Sequence, residues 1–293
     1  MSKVIRIIGV PMDLGQSKRG VDMGPSAIRY AGLSSRLLEL GYQIDDAGNI
    51  DVPVRDTLKK NRILHAIIRA CEKVYEAGKQ AVADGCFPLF IGGDHSISIG
   101  TFGGITHSSP SGMIWIDAHG DFNTSETSQT GSVHGMSLAV LNGYGDTKLV
   151  NTGRSGAKLR PEDTVMIGIR HLDEKERTQL KKSGITIYTM RDIDEQGIST
   201  VARNALKHLS HLPRIHVSLD MDSLDPKEAP GVGTRVSGGL TYREAHMLME
   251  IIADSQSLKS MDIVEINPII DQYNQTAKIA IELVVSALGK SIL

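Results

Sequence analysis

Cysteine is scarce: the 293-residue chain carries two, Cys71 in a helical stretch and Cys86 just before an apolar one. Two such thiols do not make a disulfide framework, and they suit a reducing cytoplasm. Long apolar runs are also missing. None reaches the roughly 18 residues of a membrane-spanning helix. The opening stretch MSKVIRIIGVPMDLG breaks at Gly9 and Pro11, too early for a secretory core. The chain is therefore expected to stay where it is made. Charge imbalance is lacking too, since a net charge of −2 gives no electrostatic case for nucleic acid or an anionic membrane. Linkers, internal repeats and low-complexity segments do not occur. The length allows one large domain or two ordinary ones, and without a linker residues 1–293 are expected to form one.

What the chain does have is alternation. Stretches that read as strands lie at 4–10, 42–46, 87–91, 113–116, 164–169, 185–189, 215–219 and 261–266, and those at 87–91, 113–116 and 215–219 read as buried apolar runs. Between them fall helical patterns at 62–84, 136–141, 174–182, 198–209 and 274–288. A further helix runs to Asp254, capped by Thr241 with Glu244 as its capping-box partner, and Pro25 suits a first helical turn. Strand–helix alternation of this kind means a mainly parallel sheet with helices on both faces. A closed (β/α)₈ barrel gives a similar string, and periodicity does not separate the two. In either, polar clusters just past strand carboxyl ends lie where α/β ligand sites form.

Three such clusters occur. After Met113-Ile114-Trp115-Ile116 the polarity reverses, and Asp117, His119 and Asp121 fall at alternate positions, on one face while the backbone stays extended. His95 follows the strand at 87–91 through Gly92-Gly93-Asp94, and Asp220 and Asp222 follow the strand at 215–219. Converging carboxylates and imidazoles repel and desolvate one another unless a cation sits among them, and this donor set suits a moderately hard divalent metal. Each fragment alone also fits a solvated strand end. Together they offer six ligands, too many for one tetrahedral site and suited to two ions roughly 3.5–4 Å apart.

GGDHS at 92–96, DAHGDFNT at 117–124, GSVHG at 131–135, SLDMDSLDP at 218–226 and VEINP at 264–268 resemble the ureohydrolase superfamily. Within it the chain is similar to the arginase family over essentially its whole length. The resemblance implies a three-layer α/β/α sandwich with a mainly parallel eight-stranded sheet. It implies two manganese ions per subunit, one held by His95, Asp117, Asp121 and Asp220, the other by Asp117, His119, Asp220 and Asp222. A hydroxide bridging them would hydrolyse L-arginine to L-ornithine and urea, with Asp121 protonating the leaving amine, His134 relaying protons and Glu265 accepting from the guanidinium. By position alone His134 also reads as a loop histidine capping the helix at Met136.

The resemblance further implies that Asn123 and Thr130-Gly131-Ser132 meet the substrate carboxylate. Asp173 would take its ammonium, Glu176 would reach it through water, His119 would border the substrate and Thr234 would help position Glu265. The usual pattern is departed from at Thr130 (commonly serine), Ser132 (asparagine), Ser223 (glycine) and Arg235 (proline). The first two keep hydrogen-bonding capacity but change reach. A trimer or hexamer in the cytoplasm is implied as well. A related hydrolase acting on agmatine or a guanidino acid is the near alternative, and a metal-stabilised assembly protein without turnover the distant one. Asn123 with the 130–132 segment argues for a substrate bearing an α-carboxylate, which agmatine lacks.

Overall fold

In the computed structural model, which describes residues 4–290, the apolar runs form strands close to where the sequence places them. The first half contains β1 (Val4–Val10), α1 (Gly24–Tyr30), α2 (Leu33–Glu39), β2 (Gln43–Asn49), α3 (Ile63–Ala83), β3 (Phe87–Gly92), α4 (Ser98–Ile105), β4 (Gly112–Ile116), α5 (Ser137–Leu141) and α6 (Thr147–Val150). The second half contains β5 (Thr164–Ile169), α7 (Glu174–Ser183), β6 (Thr186–Thr189), α8 (Met190–Gln196), α9 (Ile198–His208), β7 (Ile215–Asp220), α10 (Tyr242–Asp254), β8 (Leu258–Val264) and α11 (Gln275–Ala287).

The strands form one sheet in the order β2-β1-β3-β8-β7-β4-β5-β6, and every pairing is parallel. With β2 and β6 as its edges, the sheet is open and not a barrel. Alternate residues of each inner strand feed opposite layers: Ile114 and Ile116 join the core under α1, α2, α9, α10 and α11, whereas Met113 and Trp115 join the core under α3, α4, α5 and α7. Burial on both faces is why these strands read as unbroken apolar runs. The Thr241 cap forms as expected, with Glu244 Oε2 accepting from Thr241 N at 2.8 Å and Thr241 Oγ1 accepting from Glu244 N.

One helix has no periodic signature. Every residue of α4 (SIGTFGGI) is buried, so it shows no polar face. Its glycines serve contact instead. A Cβ on Gly100 would meet Cys71 O at 2.5 Å, and one on Gly104 would meet Tyr75 O at 2.2 Å, so α4 lies directly on the backbone of α3. Among the described residues no helix is long and apolar enough to cross a membrane.

The strand order positions the site. β3, β8, β7 and β4 are consecutive neighbours in the sheet, and the segments leaving their carboxyl ends carry His95, Glu265, Asp220 with Asp222, and Asp117 to Asp121. The three clusters found in the sequence therefore open into one crevice.

Candidate metal centre

Backbone shape brings the ligands together. β3 ends at Gly92, and Gly93 passes so close to the β1 exit that a Cβ would lie 1.9 Å from Met12 O; only glycine fits. Asp94 then caps the turn at His95–Ile97, accepting from Gly15 N at 2.8 Å and Ser96 N at 3.1 Å. Two further site residues hold left-handed backbone, Asp121 with φ 46° and Glu265 with φ 67°. Such conformations cost about 1–3 kcal/mol each in a non-glycine residue and collect at functional sites. Their surroundings impose them: Asp121 O accepts from Leu138 N at 3.0 Å, and Glu265 N donates to Gly93 O at 2.9 Å. The turn at Glu265 also ends β8 at Val264, two residues before the sequence pattern does.

His95 is fully buried, and its Nδ1 has no hydrogen-bond partner. Around that atom stand Asp117 Oδ2 at 3.2 Å, Asp121 Oδ2 at 3.2 Å and Asp220 Oδ2 at 3.1 Å. Ligand atoms about 2.1 Å from one octahedral ion, at right angles to each other, lie about 3 Å apart. The spacing and the unpartnered nitrogen thus both fit a divalent cation. A second group shares Asp117: His119 Nδ1 lies 3.4 Å from Asp117 Oδ1 and 3.0 Å from Asp222 Oδ2.

Neighbours fix these ligands. Trp115 stacks on the His95 ring at 3.9 Å and donates Nε1–H to Asp117 Oδ2 at 3.0 Å. Thr234 donates to Asp222 Oδ2 at 2.8 Å, so its hydroxyl orients Asp222 and not Glu265 as the sequence reading expects. Arg170 was not singled out in the sequence. It leaves β5 and donates to the carbonyls of Asp222 at 2.7 Å, Ser223 at 3.1 Å and Val236 at 2.7 Å, tying the Asp222 and Thr234 loops together. Ser223 fits without strain, donating to Asp220 O at 2.6 Å. Arg235 turns to the surface and donates to Ile270 O at 2.9 Å.

Crowded carboxylates make the cluster proton-hungry. Burial, then the Asp117 charge, pushes Asp121 up to about 6, and burial with Asp222 and Asp117 raises Asp220 well above the usual carboxylate range. Burial works against a charged imidazole, yet Asp222 and Asp117 push His119 up to about 12. His95 likewise rises, against burial, through Asp117, Asp121 and Asp220. Cations entering such a group displace protons.

Beside the cluster lies a buried pair. Glu265 Oε1 accepts from His95 N at 2.9 Å and meets His134 Nδ1 at 3.1 Å, while Oε2 accepts from Gln16 Nε2 at 2.8 Å. Gln16, from the loop after β1, carried no signal in the sequence. Burial opposes the charge on His134, but Glu265 raises it to about 9; Glu265 in turn sits below its ordinary value through His134. The sign follows. Unfolded, His134 titrates near 6.5 and folded near 9, so its stabilising share is complete below pH 6.5 and lost as pH rises through 9. The Glu265 share is present above its unfolded value of 4.5 and lost as pH falls through the depressed folded value. The difference in melting temperature between metal-free parent and His134→Asn should thus be largest between pH 4.5 and 6.5 and fade towards 9. A difference independent of pH across that window would contradict the pairing.

A cavity of ≈ 220 Å³ opens over the cluster, lined by His119, Asp121, Asp220 and Asp222 together with Asn123, Thr130, Ser132, His134, Asp173, Glu176 and Thr234. Asn123 Nδ2 donates to Asp173 Oδ2 at 3.2 Å. Glu176 is 4% exposed and accepts from Phe122 N at 2.9 Å and Asp173 N at 3.2 Å. Burial pushes it up to about 7, and its bonds show it bracing the wall. Glu265, 1% exposed, lies deep beside His134. His134 also accepts, through its carbonyl, from Ser137 Oγ at 2.8 Å, so it serves the turn before α5 as well as the site. A larger apolar cavity of ≈ 360 Å³ on the far side of Thr130 and Ser132 contains none of the acid cluster.

Known proteins match this chain over its whole length. A family model described as Arginase family matches residues 3–289. The arginase of Bacillus subtilis (strain 168) is 49% identical over 298 residues, covering 100% of both chains. The native arginase structure from Bacillus caldovelox superposes with a TM-score of 0.96 at 47% identity over 100% of each chain. Entamoeba histolytica arginase in complex with L-ornithine superposes at 0.91 with 28% identity, covering 99% of each. With a family model spanning nearly its full length and relatives near half identity, the chain belongs to the arginase family.

Proposed function

We propose that the protein hydrolyses L-arginine to L-ornithine and urea, in the cytoplasm and as a homo-oligomer, with two manganese ions in the cluster. The observation that carries this reading is the pair of ligand groups sharing Asp117 beneath a cavity walled by Asn123, Thr130, Ser132 and Asp173. His95, Asp117, Asp121 and Asp220 would hold one ion, and Asp117, His119, Asp220 and Asp222 the other. Bound there, the metals supply a water acidified towards neutral pH and positive charge for the transition state.

The chain's own residues do the rest. Asp121, raised towards neutrality in the metal-free cluster, is placed to give a proton to the departing amine. His134 lines the cavity beside Glu265, and its ring carries protons between the site and solvent. A carboxylate offers about four acceptor positions, and Glu265 has one left on Oε2 after its three donors. Its charge draws the guanidinium to this end. At the other end Asp173 accepts from the α-ammonium, while Asn123, Thr130 and Ser132 donate to the α-carboxylate. Glu176 holds Asp173 in place. Urea release by manganese-loaded protein, compared across arginine, agmatine and guanidinobutyrate, tests the reading; a preference for agmatine would overturn it.

Asp173 gives a sharper test of the recognition wall. Its contact lies far from the bond that breaks and is much the same in ground and transition states, so its loss raises KM more than it lowers kcat. A charged hydrogen bond of about 1.5–3 kcal/mol corresponds to about 10- to 150-fold in kcat/KM. Asp173→Ala should therefore lose most of the preference for arginine over its des-amino analogue while metal content stays intact. An undiminished preference would remove Asp173 from the ammonium site.

A further inference from the structure

Below the cluster, on the side away from the cavity, the sheet contains a second polar group with no part in the chemistry above. Asp262 on β8 is fully buried and accepts from Ser218 Oγ at 2.5 Å, Thr101 Oγ1 at 2.5 Å and Ser98 Oγ at 3.1 Å, with His216 Nε2 at 3.2 Å. Ser218 is its register partner on the adjacent strand β7. Ser218 Oγ also lies 2.8 Å from His95 Nε2. An apolar core does not gather a carboxylate, three hydroxyls and an imidazole without a use, because burying each costs free energy unless all are paired.

The directions of these bonds are forced. Burial opposes the charge on Asp262, but the His216 charge and hydrogen bond and then the Ser218 bond hold it below the ordinary carboxylate range, so it can only accept. The single hydroxyl hydrogen of Ser218 therefore points to Asp262. Facing His95, Ser218 has only lone pairs left, and His95 must bring the hydrogen, on Nε2. In the neutral imidazole, the form that binds a metal, that leaves Nδ1 without one, and Nδ1 is the atom ringed by Asp117, Asp121 and Asp220.

We propose that Asp262, acting through Ser218, holds His95 in the Nε2–H tautomer and so presents Nδ1 bare to the metal. Both are positioning residues: neither touches substrate or ion. Partners of this kind commonly change metal affinity by 10- to 100-fold, and in this chain a hydroxyl is interposed between histidine and carboxylate. The inference rests on the metal reading of the cluster, and its test separates the two.

The experiment is a calorimetric titration of metal-free protein with manganese(II), comparing parent, His95→Asn, Ser218→Ala, Asp262→Asn and the Ser218→Ala/Asp262→Asn double variant. His95 serves only one of the two ions. Ser218→Ala should therefore weaken one binding step by about 10- to 100-fold and leave the other unchanged. Asp262→Asn should weaken the same step, and the double variant should be no weaker than Asp262→Asn alone, as for two residues acting in series. If His95→Asn weakens one step while Ser218→Ala weakens neither, the tautomer proposal fails and the cluster stands. If His95→Asn itself changes nothing, the cluster reading fails and the proposal with it. Equal weakening of both steps by Ser218→Ala marks a general structural role and overturns the proposal even if Asp262→Asn does not fold.

Discussion

Asp220→Asn is expected to strip the protein of metal and nearly all turnover while leaving the metal-free fold at least as stable as the parent. The opposite directions follow from one carboxylate. Asp220 Oδ2 faces His95 Nδ1 at 3.1 Å, and Oδ1 accepts from Asp222 N at 2.8 Å. Asparagine keeps the size and the Oδ1 bond, so the turn survives, but it removes a charge that both ions would share in the proposed assignment. The loss should exceed the roughly 10- to 100-fold in metal affinity that an outer partner costs. In the metal-free protein the sign reverses. Burial, Asp222 and Asp117 raise the folded pKa of Asp220 far above its ordinary 3.8, so above that pH the ionised group opposes folding. A neutral amide escapes that cost. Melting temperatures at pH 7 with and without manganese are the measurement. The parent should gain stability on metal addition and the variant should not. A variant that keeps two tightly bound ions and near-normal turnover would sink the ligand assignment.

The strands that carry the site were legible because a double-wound sheet buries both faces, and the reversal from Ile116 to Asp117 or from Leu219 to Asp220 marks where each strand ends. Sequence spacing does not say which strands are neighbours, and the adjacency of β3, β8, β7 and β4 had to be seen. Helix α4 escaped because its signal is close approach, carried by glycines that have no periodicity when every side is buried. Gln16 and Arg170 escaped because each is a lone polar residue whose partners lie far along the chain: Glu265 for the first, and the carbonyls of Asp222 to Leu224 and Val236 for the second. For Thr234 the expected carboxylate is Glu265, but its hydroxyl meets the nearer Asp222, because the loop that carries it folds back on the β7 exit. The Asp262 group was readable in part. His216, Ser218 and Asp220 alternate in β7 and so share one face, which is an unusual polar stripe inside a fully buried strand. What the stripe faces depends on the register of β8, and only the structure supplies that.

Glu265→Gln separates two ways in which a buried carboxylate serves the reaction. Glu265 is 1% exposed and lies deep beside His134, so its charge acts both on the guanidinium and on the imidazole. Glutamine matches its shape but has one oxygen where Glu265 uses two, Oε1 for His95 N and Oε2 for Gln16 Nε2, and its neutral NH₂ cannot accept from a guanidinium or from a protonated His134. Losing a charged hydrogen bond to substrate accounts for about 10- to 150-fold in kcat/KM. If His134 also loses its role in proton transfer, the total fall should reach at least about 100-fold, within the range for acid–base groups. The titration of His134 identifies the second part. In the metal-free parent Glu265 raises His134 to about 9; without that charge the imidazole should fall back towards its ordinary 6.5, with burial still lowering it and Asp121 and Asp94 still raising it. Proton NMR of the histidine ring against pH reads this directly, with His134→Asn supplying the assignment. A fall in activity with an unmoved His134 titration would mean that Glu265 acts on the guanidinium alone. Unchanged activity and an unmoved titration together would remove Glu265 from the reaction.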